Sequence, residues 1–77
     1  MNDLTKNVVN STYDKVERHI SDIQMCISLI QSNIDQKATV TDDIEEKCAF
    51  RTTSNELTNI WLALEKICDK ITDLYIK

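Results

Sequence analysis

Apolar side chains in the first half of the chain recur at alternating intervals of four and three residues. This spacing is the heptad pattern of an amphipathic helix, because it places all of these side chains on one stripe of the helix surface. Many of them are β-branched, but a strand would require a period of two. The pattern predicts a helix over residues 3–36, with Asp3 as its N-cap or as a first-turn acid. The stripe consists of Val9, Tyr13, Val16, Ile20, Ile23, Ile27, Ile30 and Ile34.

The second half of the chain carries a similar stripe and, beside it, an additional apolar row. The stripe follows alternating intervals of three and four residues, and the additional row has a strict interval of seven. Together they cover roughly 140° of the helix circumference, more than the narrow stripe of a two-stranded coiled coil. We therefore expect a helix over residues 42–76 with more than one packing partner. The stripe comprises Leu57, Ile60, Leu64, Ile67, Ile71 and Leu74, and the additional row comprises Trp61, Cys68 and Tyr75.

Residues 37–41 are predicted to connect the two helices because they contribute no residue to either stripe. Thr39 or Thr41 can cap the second helix, since four acidic residues follow where the helix dipole favours negative charge. Residues 51–54 are less regular, and Thr53 can also begin a capping box. The sequence leaves open whether the second helix bends or breaks there. The absence of proline and glycine favours a bent or continuous helix.

Two helices of equal length with a short connection predict an all-α fold, a long antiparallel helical hairpin in a single domain over residues 1–77. Pairing about residue 38 would place Ile20 near Leu57. One hairpin leaves part of each apolar face in water, so two hairpins are expected to dimerise into a four-helix bundle. A monomer with a partly exposed row, or a hetero-complex, is the alternative. The predicted oligomer interface consists of Ile60, Trp61, Leu64, Ile67, Cys68, Ile71 and Tyr75.

The composition of the 77 residues supports helices and narrows the function. The chain contains neither glycine nor proline, which tight turns favour, and glycine-rich nucleotide-binding loops are excluded for the same reason. Nine basic residues are scattered among thirteen acidic ones, with a net charge of −4, so nucleic-acid binding is not expected. No apolar stretch reaches the about 20 residues that a membrane span needs. The N-terminus lacks the layout of a signal peptide, which predicts a cytoplasmic protein with reduced thiols.

No group of residues in the sequence predicts catalysis or metal binding. His19, Cys26 and Cys48 offer three ligand types but lack the local spacing that is typical of zinc sites. His19 and Cys26 are also two helical turns apart, about 10 Å along the axis, which is too far for a nucleophile and its base. Three cysteines without a C-x-x-C pair are interpreted as small apolar residues. We therefore expect no enzyme activity, no catalytic residues, no metal and no cofactor.

Met25 and Leu29 form an i, i+4 pair on the helix face opposite the first stripe. Scattered exposed apolar residues are common, but a pair that contains methionine can also form a partner surface. The sequence predicts a non-enzymatic protein–protein interaction module, such as a regulator, adaptor, inhibitor or chaperone-like binder, that acts as a homo-oligomer on an unidentified protein. The alternatives are a small dimeric helical regulator that binds RNA or DNA, and a structural subunit of a larger assembly. The frequent asparagine, isoleucine, lysine and threonine residues are typical of AT-rich bacterial or phage genes.

Overall fold

The protein is a hairpin of two long helices. The computed structural model describes residues 3–75, with α1 over Asp3–Val40 and α2 over Ile44–Leu74. The helices are antiparallel, since Tyr13 near the start of α1 stacks on Tyr75 just after the end of α2. The hairpin measures 62 × 15 × 11 Å, and residues 3–75 contain no strand. The predicted all-α helical hairpin is confirmed.

α1 continues four residues beyond its predicted end, so the connection is residues 41–43 and not 37–41. Ala38 explains the difference, because it is buried in the contact with α2 and is only 5% exposed. The N–H of Thr41 donates to the carbonyl of Lys37 at 3.1 Å and closes the last turn. Packing contributes most of the stability of a helix in a protein. A small residue that packs well therefore extends α1 where the apolar pattern had ended.

Asp43 caps α2, which begins two residues later than predicted. The backbone of Asp43 is extended, with φ −80° and ψ 117°. Its carboxylate accepts hydrogen bonds from the N–H groups of Glu45 at 2.9 Å and Glu46 at 3.3 Å. The predicted caps are wrong, because Thr39 lies inside α1 and the Thr41 hydroxyl oxygen accepts from the N–H of Asp43 at 3.3 Å. The carboxylate of Asp43 also compensates the dipole at the start of α2.

Asp43→Ala is expected to lower the free energy of unfolding by about 1 kcal/mol, because two N–H groups at the start of α2 lose their acceptor. Urea unfolding followed by circular dichroism measures this loss. The control is Asp42→Ala, which removes the neighbouring exposed acid and should change the free energy by less than about 0.5 kcal/mol. Equal losses in the two variants would contradict the assignment of the cap.

α2 runs without interruption through residues 51–54, so the alternative of a broken helix is wrong. The hydroxyl of Thr53 donates to the carbonyl of Ala49 at 3.0 Å and does not cap a new helix. Ser54 and Leu57 are half-buried in the contact with α1. Packing on α1 therefore carries the helix through a stretch of weak helix formers.

The two helices pair about a point near residue 44, and not about residue 38. Gln24 marks this register, because its side-chain amide donates to the carbonyl of Trp61 at 3.2 Å and to the carboxylate of Glu65 at 2.9 Å. The predicted neighbours, such as Ile20 and Leu57, are therefore wrong. The shift follows from the longer α1, which moves the connection toward the C-terminus.

Candidate interaction surfaces

The predicted stripe of α1 consists of two parallel rows, each with an interval of seven residues. Only one of them, which we call the kept row, packs on α2 along its length. Ile20 and Ile27 belong to the row that is kept, and they are only 8% and 7% exposed. A mostly polar row takes the place of the second predicted row. Three members of that second row, Val16, Ile23 and Ile30, are 39%, 50% and 49% exposed, and its first member, Val9, is half-buried. The kept row is Tyr13, Ile20, Ile27 and Ile34, and the polar row is Glu17, Gln24, Gln31 and Ala38.

Two glutamines of the polar row bind the backbone of α2. Gln24 is only 8% exposed, and its amide reaches the carbonyl of Trp61. The amide of Gln31 donates to the carbonyl of Ser54 at 2.9 Å and to the hydroxyl of Thr58 at 2.7 Å. Burial without these partners would be costly. Because each amide reaches one particular carbonyl, the pair favours a single register of α1 on α2, as polar residues in coiled-coil seams do.

On α2 the additional row packs on α1, whereas one row of the predicted stripe is exposed. Trp61, Cys68 and Tyr75, the additional row that was predicted for the oligomer interface, are half-buried against α1. The row with Ile60 and Ile67 is instead 45–57% exposed. α2 carries three adjoining apolar rows, and the polar row of α1 selects which two of them face it. Of the seven residues predicted for the oligomer interface, Ile60 and Ile67 are exposed, and Trp61, Leu64, Cys68, Ile71 and Tyr75 are half-buried.

Glu17 places a carboxylate at the open end of the hairpin, where the rings of Tyr13 and Tyr75 stack with centroids 5.8 Å apart. Its Oε2 accepts a hydrogen bond from the hydroxyl of Thr72 at 3.5 Å. A hydrogen bond with Glu17, followed by burial and negative charge, raises the pKa of Tyr75 to about 12. Oε1 of Glu17 is buried and has no hydrogen-bond partner among residues 3–75. A phenol is protonated near neutral pH, so the hydroxyl of Tyr75 can donate to this carboxylate.

The three cysteines and the histidine differ in how far they are buried. Burial, followed by the negative charges of nearby acids led by Glu17, raises the pKa of the Cys68 thiol. A raised pKa lowers the fraction of thiolate, which is the form that acts as a nucleophile and a metal ligand. Cys26, Cys48 and His19 are exposed. Over the described part of the chain, no group of three or more His, Cys, Asp or Glu residues could hold a metal ion.

The exposed apolar rows of α1 and α2 lie on the same side of the hairpin. In an antiparallel heptad pair, the positions that flank the seam on one side of each helix face each other. The opposite side is polar, because Glu65 and Thr58 there bind the two glutamines of α1. We call the exposed set the apolar stripe. It consists of Val16, Ile23 and Ile30 of α1 and Ile60, Ile67 and Leu74 of α2, which are between 39% and 57% exposed.

A second apolar surface lies on the side of α1 that faces away from α2. Met25 and Leu29, which we call the outer pair, are 64% and 67% exposed. They are one helical turn apart, so their side chains adjoin on the surface. The sequence predicted both their exposure and their position, and the structure separates them from the apolar stripe by about a third of the helix circumference.

A shallow depression near the end of α1 is lined by residues of that helix alone, between Ser32 and Val40. Over residues 3–75, neither helix contains a stretch apolar enough to cross a membrane.

Comparison with protein-family models, with curated proteins and with solved structures found no match. The functional interpretation therefore rests on the apolar stripe and the outer pair.

Proposed function

We propose that this chain is a non-enzymatic protein–protein interaction module that works as a homo-oligomer and binds a second protein through an outer helical face. The observation that carries the proposal is the apolar surface of the hairpin. Among residues 3–75, thirteen large apolar side chains are at least 39% exposed. Isolated exposed apolar residues need no explanation, but adjoining ones at helical spacing form surfaces that partners cover.

The two apolar surfaces suit different partners. The apolar stripe follows both helices and is long and uniform, which suits permanent association. The outer pair is small, and it is bordered by the exposed polar residues Ser21 and Asp22. A small apolar centre with a polar rim is typical of interfaces that form and dissociate. Methionine adapts its shape to different partners, so the outer pair is the better candidate for binding a second protein.

Met25→Glu with Leu29→Glu is expected to leave the hairpin folded and to abolish binding of the second protein. Both side chains are exposed, so the fold loses little buried apolar area. The affinity-tagged chain is expressed in its native host, and the proteins that co-purify are quantified by mass spectrometry. Since interface anchors cost more than 1 kcal/mol each when they are removed, recovery of a specific partner should fall by at least about tenfold.

The matched control is Ser32→Glu with Gln36→Glu, which adds the same charges one heptad further along the same face of α1. This variant is expected to retain the partner. If both variants retain it, the outer pair is not the binding surface. If the Met25 and Leu29 variant loses its helical circular dichroism, these residues belong to the core. Salt-sensitive binding of the wild-type chain to RNA or DNA, without a protein partner, would support the nucleic-acid alternative instead.

A further inference from the structure

We propose that a second copy of this chain covers the apolar stripe, so that two hairpins pack face to face as a four-helix bundle. This inference deepens the proposed interaction function, on which it rests only for the expectation that the chain associates with itself. It differs from the interface predicted from the sequence, because Trp61, Cys68 and Tyr75 pack on α1 within one hairpin. The surface that is left for a second hairpin is the apolar stripe, which on α2 consists of Ile60, Ile67 and Leu74.

The apolar stripe is part of a wider apolar face. On α1 the kept row borders the stripe, and on α2 a half-buried row of Leu57, Leu64 and Ile71 does the same. Four adjoining rows, two from each helix, thus run along one side of the hairpin. Over the length of the stripe these rows contain no charged side chain. Two such faces can interdigitate by the heptad packing of a four-helix bundle without burying a charge.

The border of this face on α2 is complementary to itself. Ala63 lies in the middle of the border, where a small side chain allows two helices to approach closely. Glu56 and Lys70 lie seven residues to either side of Ala63, and all three residues are exposed. Antiparallel packing of α2 on α2 of a second copy, about a two-fold axis at Ala63, would place each Glu56 opposite Lys70 of the other copy. Two-fold interfaces require such self-complementarity, and opposite charges at the rim favour one orientation.

The exposed surface of the hairpin is large enough for the interface of a stable dimer. The chain exposes 5997 Å², whereas a compact monomer of 8.9 kDa would expose about 4,800 Å². A compact dimer of the same chain would expose about 8,000 Å² in total, so its formation would bury about 4,000 Å². This area lies within the range of about 2,000–5,000 Å² that obligate homodimers bury. Only Ile20, Ile27 and Ala38 form the buried apolar core of the described residues, so a second copy would also complete the core.

Analytical ultracentrifugation of the wild-type chain and three double variants tests the proposal. The wild-type chain should sediment with twice the mass of the 8.9 kDa chain. Ile23→Glu with Ile67→Glu places charges in the stripe and should weaken dimerisation by at least about a hundredfold. The controls are the Met25 and Leu29 variant and the Ser32 and Gln36 variant, which add the same charges away from the stripe and should remain dimers. A wild-type chain that sediments as a single copy at micromolar concentration would overturn the proposal.

A second measurement uses the wild-type chain alone, because the Ile23 and Ile67 variant can fail to fold without its dimer. Isotope-filtered nuclear Overhauser spectra of a mixture of labelled and unlabelled chains detect contacts between copies only. We expect these contacts at the methyl groups of Ile23, Ile30, Ile60 and Ile67. Contacts between copies at Met25 and Leu29 alone would overturn the proposal, as would a control variant that dissociates while the Ile23 and Ile67 variant remains a dimer.

These results separate the two proposals. A monomeric wild-type chain that still loses its partner through Met25→Glu and Leu29→Glu refutes the four-helix bundle and retains the binding of a second protein. A dimer held by the apolar stripe that recovers no partner retains the bundle and refutes the binding function of the outer pair. The mass of the chain and the recovery of partners are therefore independent readouts.

Discussion

Ile27→Ala is expected to lower the free energy of unfolding by about 2–5 kcal/mol, the usual range for truncating a buried isoleucine. Ile27 is only 7% exposed, and just two other apolar residues among residues 3–75 are buried to a similar degree. A single core in a chain of this size rarely supplies more than about 3–5 kcal/mol of stability. The cavity would therefore remove much of the stability of the hairpin. Urea unfolding monitored by far-ultraviolet circular dichroism should show a large decrease in the midpoint.

Leu29→Ala is the matched control, because it truncates an aliphatic side chain two residues away that is 67% exposed. Its effect should stay within about 0.5 kcal/mol, as for most surface substitutions. If Leu29→Ala destabilised the chain as much as Ile27→Ala, the outer pair would be part of the core. If neither variant changed the midpoint, the contact of α1 with α2 would not hold the fold together.

The heptad spacing predicted the fold class correctly because it depends only on period and length. Apolar residues at intervals of three and four define a helix whichever neighbouring row faces its partner. The absence of glycine and proline left only one place for a connection between two long helices. These features depend on local geometry, which a single sequence contains. They are sufficient to predict the hairpin but not the faces that its helices present to each other.

The choice of rows could not be predicted from hydrophobicity alone. On α1 the row with Ile20 and Ile27 has an apolar row on one side and the row with Gln24 and Gln31 on the other. Apolarity predicts that the row with Ile20 and Ile27 forms the seam together with the neighbouring apolar row. In the structure it forms the seam together with the row of Gln24 and Gln31. The glutamines can lie in the seam because their amides reach carbonyl groups of α2. Such bonds depend on tertiary distances, which the spacing of residues does not reveal.

The end of α1 had a signal that the apolar pattern did not include. Ala38 follows Gln24 and Gln31 at the same interval of seven residues, so the polar row of the seam continues through it. A search for large apolar residues places Ala38 in a loop, although its small side chain is buried. The predicted register of α1 on α2 is wrong for the same reason, because the predicted α1 ends at residue 36 and the observed helix ends at Val40. The exposure of Met25 and Leu29 was predictable because these residues lie far from every candidate seam.

Gln24→Leu with Gln31→Leu is expected to raise the free energy of unfolding by about 2 kcal/mol and to make the structure less specific. Leucine at the position of Gln24, which is 8% exposed, gains apolar burial. It loses a hydrogen bond to the carbonyl of Trp61 and one to the carboxylate of Glu65. Because Glu65 is exposed, water replaces the second bond, and the gain in burial outweighs the loss. The carbonyls of Trp61 and Ser54 lie within α2, so helical hydrogen bonds still satisfy them after the substitution. Thermal unfolding by circular dichroism should show a higher midpoint.

The loss of specificity follows from the symmetry that the two leucines would create. The row with Ile20 and Ile27 would then have apolar rows on both sides, so α1 could turn either side toward α2. Polar seam residues set register and oligomeric state at a cost in stability, and their removal should produce extra backbone amide resonances in nuclear magnetic resonance spectra and mixed masses in sedimentation. Gln36→Leu, at an exposed position of the same helix, should produce neither effect. A double variant that is less stable than the wild-type chain would show that the glutamine bonds hold the hairpin together and do not only select its register.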